Sequence, residues 1–121
     1  MILTYLKEQF KNKILAGIKI HTIREDKHYR WQPGMIIHHW LHNPRNVSKH
    51  PHQFLKNQCT GTQEIWIYPE TKKVYISGVM CSDKELELLA INDGFESVKG
   101  FLAWFNKKFD GKIIHWTDFR Y

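Results

Sequence analysis

Cysteine is scarce in this chain: Cys59 and Cys81 are the only two among 121 residues, and their spacing forms no C-x-x-C pair. The scarcity excludes a disulfide-built scaffold and leaves two free thiols in a reducing cytoplasm as the expectation, a disulfide being the lesser reading. Long apolar runs are lacking as well. None approaches the length needed to cross a bilayer, and "MILTYLKEQFKNK" has no signal-peptide hydrophobic region, so the expected setting is cytoplasmic with no membrane partner. Internal repeats and low-complexity tracts are also missing. Carboxylates are outnumbered, with 12 Asp and Glu against 18 Lys and Arg, which leaves a formal charge of +6. Such a surplus attracts polyanions without naming one.

What is present is a globular composition, 42% apolar and 14% aromatic, in a length that suits one domain spanning residues 1–121. Leu6, Phe10 and Ile14 recur at helical spacing, and Gly17 fits the C-terminal stop. "IKIHTIR" alternates as a strand, "QPG" turns, and "MIIHHWLH" predicts a central strand. Asn43–Gln58 carries two prolines and no period, and predicts a long surface insertion. "QEIWIYP" and "KKVYISGVMC" predict two strands. "SDKELELLAINDG" predicts a helix with a Ser82/Glu85 capping box, stopped at Gly94. "ESVKGFLAWFNKKF" predicts another helix, with Phe101, Phe105 and Phe109 facing inward, and "GKIIHWTDFRY" a closing strand. Short strands with peripheral helices point to an α+β fold around a small barrel.

The chemistry concentrates in "ILAGIKIHTIREDKHYRWQPG". A threonine hydroxyl becomes a nucleophile when a base takes its proton, and a buried lysine can be that base. Lys19 and Thr22 would have to reach one site from opposite faces of a flat strand, so the backbone must bend between them. An acid completes an amide-cleaving set by protonating the leaving amine. Strand lysines and threonines are also common with no such role.

Arg24 offers a planar fork for phosphate or a carbonyl oxygen, or else a salt bridge to Asp93. Tyr29 and Trp31 are candidates to stack on a base, Trp31 because it sits in a polar turn, whereas Trp40 reads as core. His115 packs at the closing strand or lines a cleft beside His21. Eight histidines raise a metal reading, but adjacent His38 and His39 point to opposite faces of their strand, and no metal or other cofactor is expected. Lys11, Lys13, Lys27, Arg30, Arg45, Lys49 and Lys56 would form a phosphate-tracking rim if they surround a cleft, and otherwise a solvated face.

"ILAGIKIHTIRED" followed by "WQPG" resembles the signature of ASCH domains, a branch of the PUA-like β-barrel superfamily. "LAINDGFESVKGFLAWF" resembles that family's acidic-Gly-Phe turn into a helix, and "GKIIHWTDFRY" the closing strand of a phage and bacterial subset. The landmarks span nearly the whole chain in the expected order. The resemblance implies a PUA-like barrel whose cleft accepts RNA, a nucleotide or a modified nucleoside. It further implies, for the small amidohydrolases among these proteins, removal of the acetyl group of acetylcytidine with Lys19 as base, Thr22 as nucleophile and an acid at Asp93. The family acid is a glutamate, so Asp93 is one methylene short, a difference that matters where ~1 Å of misplacement costs ~100-fold. Glu96 is the substitute if the helix starts elsewhere.

Two functions therefore stand: an RNA-, nucleotide- or nucleoside-binding module with a basic aromatic cleft, and an amidohydrolase acting on an acylated nucleoside. A third is a protein-interaction domain using Phe119 and Tyr121. A monomer is the default.

Overall fold

Alternation of Leu3 and Tyr5 with Ile2 and Thr4 makes the chain start as a strand, β1 (Ile2–Tyr5), ahead of helix α1 (Glu8–Leu15). The computed structural model describes all 121 residues. The first strand is missed by reading helical period alone, and Leu6, assigned there to the helix, is exposed before it begins. Phe10 and Ile14 are the buried residues of α1. Gly17, at φ +75°, closes the helix; its N–H donates to the Ile14 carbonyl and that of Ile18 to Lys13.

Strand β2 (His21–Arg24) follows, then β3 (Ile36–Leu41) and β4 (His52–Gln58). The expected insertion at Asn43–Gln58 is thus corrected. Its second half is a ladder strand antiparallel to β3, and only the turn around the short 3-10 segment Val47–Lys49 is an excursion. Strands β5 (Gly61–Tyr68), β6 (Lys73–Ile76) and β7 (Val79–Met80) form a meander. Helix α2 (Asp83–Asn92) opens with the expected capping box, Ser82 Oγ accepting from the Glu85 N–H at 3.2 Å and Glu85 Oε1 from the Ser82 N–H at 3.1 Å. Helix α3 (Val98–Trp104) ends at Phe105, earlier than its apolar spacing predicts, because Phe109 already opens β8 (Phe109–His115).

The result is α+β, with two sheets and three helices. One sheet has the order β1-β3-β4, and the other β2-β8-β5-β6-β7. No ladder joins them, so the strands do not close into a barrel. One apolar cluster, with Ile65, Ile67, Ile113, Leu89 and Phe101 fully buried, lies between the five-stranded sheet and α2 and α3. A second gathers Leu3, Phe10, Ile14, Ile37 and Ile114 between the three-stranded sheet, α1 and β8. Ile113 and Ile114 belong to different clusters, so β8 is buried on both faces, which is why "IIH" shows no polar alternation. Trp31 belongs to the second cluster and is only 6% exposed. No helix is long and apolar enough to cross a membrane.

Candidate functional site

The chain bends between α1 and β2. The Lys19 N–H donates to the Lys13 carbonyl and the Ile20 N–H to the Asn92 carbonyl, so Lys19 precedes the strand ladder rather than belonging to it. That bend resolves the facing problem posed by the spacing: Lys19, Thr22 and Arg24 all line one cavity of about 350 Å³. Asp93, the residue that caps the C-terminus of α2, lines the same cavity. Tyr5, Phe10, Phe95, Trp104, Phe105 and Phe109 supply its apolar wall.

Lys19 is 3% exposed, Thr22 4% and Asp93 3%. Lys19 Nζ donates to the Asp93 carbonyl oxygen at 2.6 Å and to Asp93 Oδ1 at 3.2 Å. Burial pulls the lysine pKa down to about 8, against the opposing pull of the Asp93 carboxylate. Gly94 makes this approach feasible. A Cβ there would stand 3.0 Å from both Lys19 Cδ and the Phe10 ring, and its φ of +96° is one that L side chains rarely adopt. Arg24 makes no bond to Asp93. Its Nη2 donates to the Thr4 carbonyl at 2.7 Å, its Nε approaches Thr22 Oγ1 at 3.4 Å, and its guanidinium carbon lies 5.3 Å from the Tyr5 ring centroid.

Behind the cavity runs a buried polar chain. Asp93 Oδ1 lies 3.1 Å from His21 Nδ1, His21 Nε2 lies 2.5 Å from the Tyr121 hydroxyl, and Asn92 Nδ2 donates to that hydroxyl at 3.1 Å. Burial lowers the His21 pKa, which favours the neutral ring. A neutral His21 with its proton on Nδ1 donates to the carboxylate and accepts from Tyr121, a tautomer that satisfies every partner. Asp93 Oδ1 thus accepts from both Lys19 and His21. Replacing Tyr121 with Phe should leave His21 Nε2 unpartnered and cost ~1–3 kcal/mol in urea unfolding; an unchanged midpoint would show that this bond is not formed.

The remaining expected site residues separate. His21 and His115 are fully buried and are not among the residues that line the cavity. His115 Nε2 pairs with Gln63 Oε1 at 3.0 Å, and its ring packs edge-on against His21. Trp31 is corrected from a stacking surface to a core residue, because its N–H and that of Arg30 donate to the Asp26 carboxylate, curling the loop so that the indole turns inward. Tyr29 is exposed but outside the cavity. It lines a neighbouring polar depression of about 280 Å³ that shares Glu25 and Phe109 with the first, and Lys112 Nζ lies 4.1 Å from its ring centroid.

None of the seven basic residues expected at a rim lines the main cavity. Lys13 instead donates to the Gly94 carbonyl and pairs with Glu96, whose exposed carboxylate lies outside the site. Phe119 and Tyr121 are half-buried against each other rather than displayed. Sequence reasoning missed Tyr5, Glu25 and Trp104 as lining residues. Trp104 is 46% exposed at the end of α3, and its exposure is the signal of a mouth residue. Comparison with protein-family models, with curated proteins and with solved structures finds no match to this chain.

Proposed function

We propose that this chain is an ASCH-type, PUA-like protein whose cavity binds a modified nucleoside and cleaves an amide on it, acetylcytidine being the first substrate to test. The observation that carries the reading is the buried Lys19, drawn toward neutrality and sharing one cavity with Thr22 and Asp93. The volume suits a single small ligand, being near the lower end of the ~300–1,000 Å³ typical of such sites. The lining combines polar side chains with aromatic ones, which suits a planar base carrying an acylated amine.

In this reaction neutral Lys19 takes the proton of the Thr22 hydroxyl as its oxygen bonds to the amide carbonyl carbon. Arg24 stands beside Thr22 to stabilise the oxygen that gains charge. Collapse breaks the carbon–nitrogen bond, and the proton held on Lys19 passes to the leaving amine. Water then hydrolyses the acyl-threonine ester, releasing acetate and restoring Thr22. Asp93, already accepting from Lys19 and His21, orients the lysine here instead of acting as the acid. Its short side chain matches that position.

The test is acetate release from acetylcytidine by the purified protein beside Thr22→Ala and Lys19→Ala. Release that each substitution reduces by at least ~100-fold is the expected result. A folded wild type that binds acetylcytidine without releasing acetate would make the cavity a recognition site only. That second reading is favoured by the 2.6 Å bond from Lys19 to the Asp93 carbonyl, which stabilises the charged lysine.

A further inference from the structure

From Lys27 to Gln63 the chain contains no aspartate or glutamate, yet it carries Lys27, Arg30, Arg45, Lys49 and Lys56. This acid-free segment builds β3, the turn after it and β4, so a single part of the fold holds nearly the whole positive surplus. Arg30, Arg45, Lys49 and Lys56 take part in no ion pair. A stretch of uncompensated like charge destabilises a fold by self-repulsion, and binding a polyanion relieves it.

The geometry of the three-stranded sheet gives that charge a platform. Ile37, His39 and Leu41 are buried on its inner face, leaving Ile36, His38 and Trp40 on the outer one. In register across the outer face lie Ile2, His38 and Lys56 in one row and Thr4, Trp40 and Gln53 in the next. Ile2, Ile36, Gln53, Lys56 and Gln58 are exposed there, and Trp40 is half-buried rather than core. Thr4 also lines the main cavity, so the row that carries Trp40 includes a residue of the site. At the β3–β4 end, Arg45 and Lys49 sit in a turn held by bonds from the Arg45 N–H to Asn43 Oδ1 and from Ser48 Oγ to Asn46 Oδ1.

We propose that this outer face docks single-stranded RNA, with phosphates on Arg45, Lys49 and Lys56 and a base against Trp40, so that a modified nucleotide of the strand lies at the cavity mouth. The choice of RNA rests on the reading of the cavity as a cytidine site, whereas the docking of a polyanion stands on the charge and register alone. Phosphates supply the complementary charge, and an aromatic face takes a base whatever its sequence.

The test uses a fluorescent single-stranded RNA of about 12 nucleotides, with anisotropy read across a salt series. The variant Arg45→Glu/Lys49→Glu/Lys56→Glu is set beside Lys72→Glu/Lys84→Glu/Lys99→Glu, which changes net charge equally at exposed sites outside the acid-free segment. The first should weaken binding by at least ~30-fold at low salt and reduce the salt slope by ~2, three contacts at ~0.7 each. The second should weaken it by no more than ~3-fold, and Trp40→Leu by ~10-fold. Equal losses in the two triple variants, no RNA binding by wild type, or tighter binding of a duplex or of single-stranded DNA would each overturn the proposal. Acetate release from free acetylcytidine by the first triple variant should match wild type. If wild type releases no acetate but the RNA results hold, the docking surface stands and the cavity chemistry fails.

Discussion

Below pH 8, kcat/KM for acetate release should climb about tenfold with each pH unit, then level off above about 8. The sign follows from the role of Lys19, which must be neutral to take the threonine proton. With a pKa of about 8, only about a tenth of the protein carries the neutral amine at pH 7. Two influences set that value against each other: burial lowers it and the Asp93 carboxylate raises it. Asp93→Asn removes the second, so its rising limb should move to lower pH while the plateau falls as Lys19 loses its orienting partner. Lys19→Arg should be flat and slower by at least ~100-fold, since guanidinium does not deprotonate in this range. A limb that stays in place in Asp93→Asn would show that Lys19 is not the group being titrated.

The same buried lysine should make the protein more stable as pH rises from about 8 to about 10, measured against Lys19→Met in urea. Lys19 has a lower pKa folded than its ordinary 10.5, so between about 8 and 10.5 the unfolded chain binds the proton that the folded one lacks. The penalty of burying the charge is full below about 8 and disappears above 10.5. At ~1.4 kcal/mol per pKa unit it amounts to about 3 kcal/mol. Subtracting the Lys19→Met curve is essential, because other groups act in reverse at alkaline pH. Burial pushes the Cys81 thiol up to about 11 and raises the hydroxyls of Tyr5 and Tyr121, so all three favour the folded form until they ionise. A difference curve without slope between about pH 8 and 10 would mean that Lys19 holds its proton in the fold as it does in water.

Much of this site was legible in the residues, and the failures have physical causes. Lys19, Thr22 and Asp93 could be named together only through the resemblance to ASCH domains, because strand lysines and threonines are too common for spacing to choose them; what the structure adds is that all three line one cavity. The way they meet could not be read, since it depends on a bend before His21 and on an approach past Gly94 that spans 74 residues. The contact between His21 and Tyr121 spans 100 residues and has no local trace at all. β4 was hidden because a register shift opposite His39 and Trp40 breaks the alternation that marks a strand, and Pro51 stands at its start. Trp31 misled because its neighbours are polar while Asp26, five residues earlier, turns the backbone inward. The capping box and the Gly17 stop were readable because both are local chemistry.

The burial of β8 on both faces has a consequence for how the molecule comes apart. Ile113 anchors one apolar cluster and Ile114 the other, with His115 fully buried after them. Neither cluster can open without exposing a wall that the other needs, so the two behave as one cooperative unit instead of two foldons. Exchange of the amide hydrogens that β8 donates to the strands on either side of it is then expected to report the global unfolding free energy.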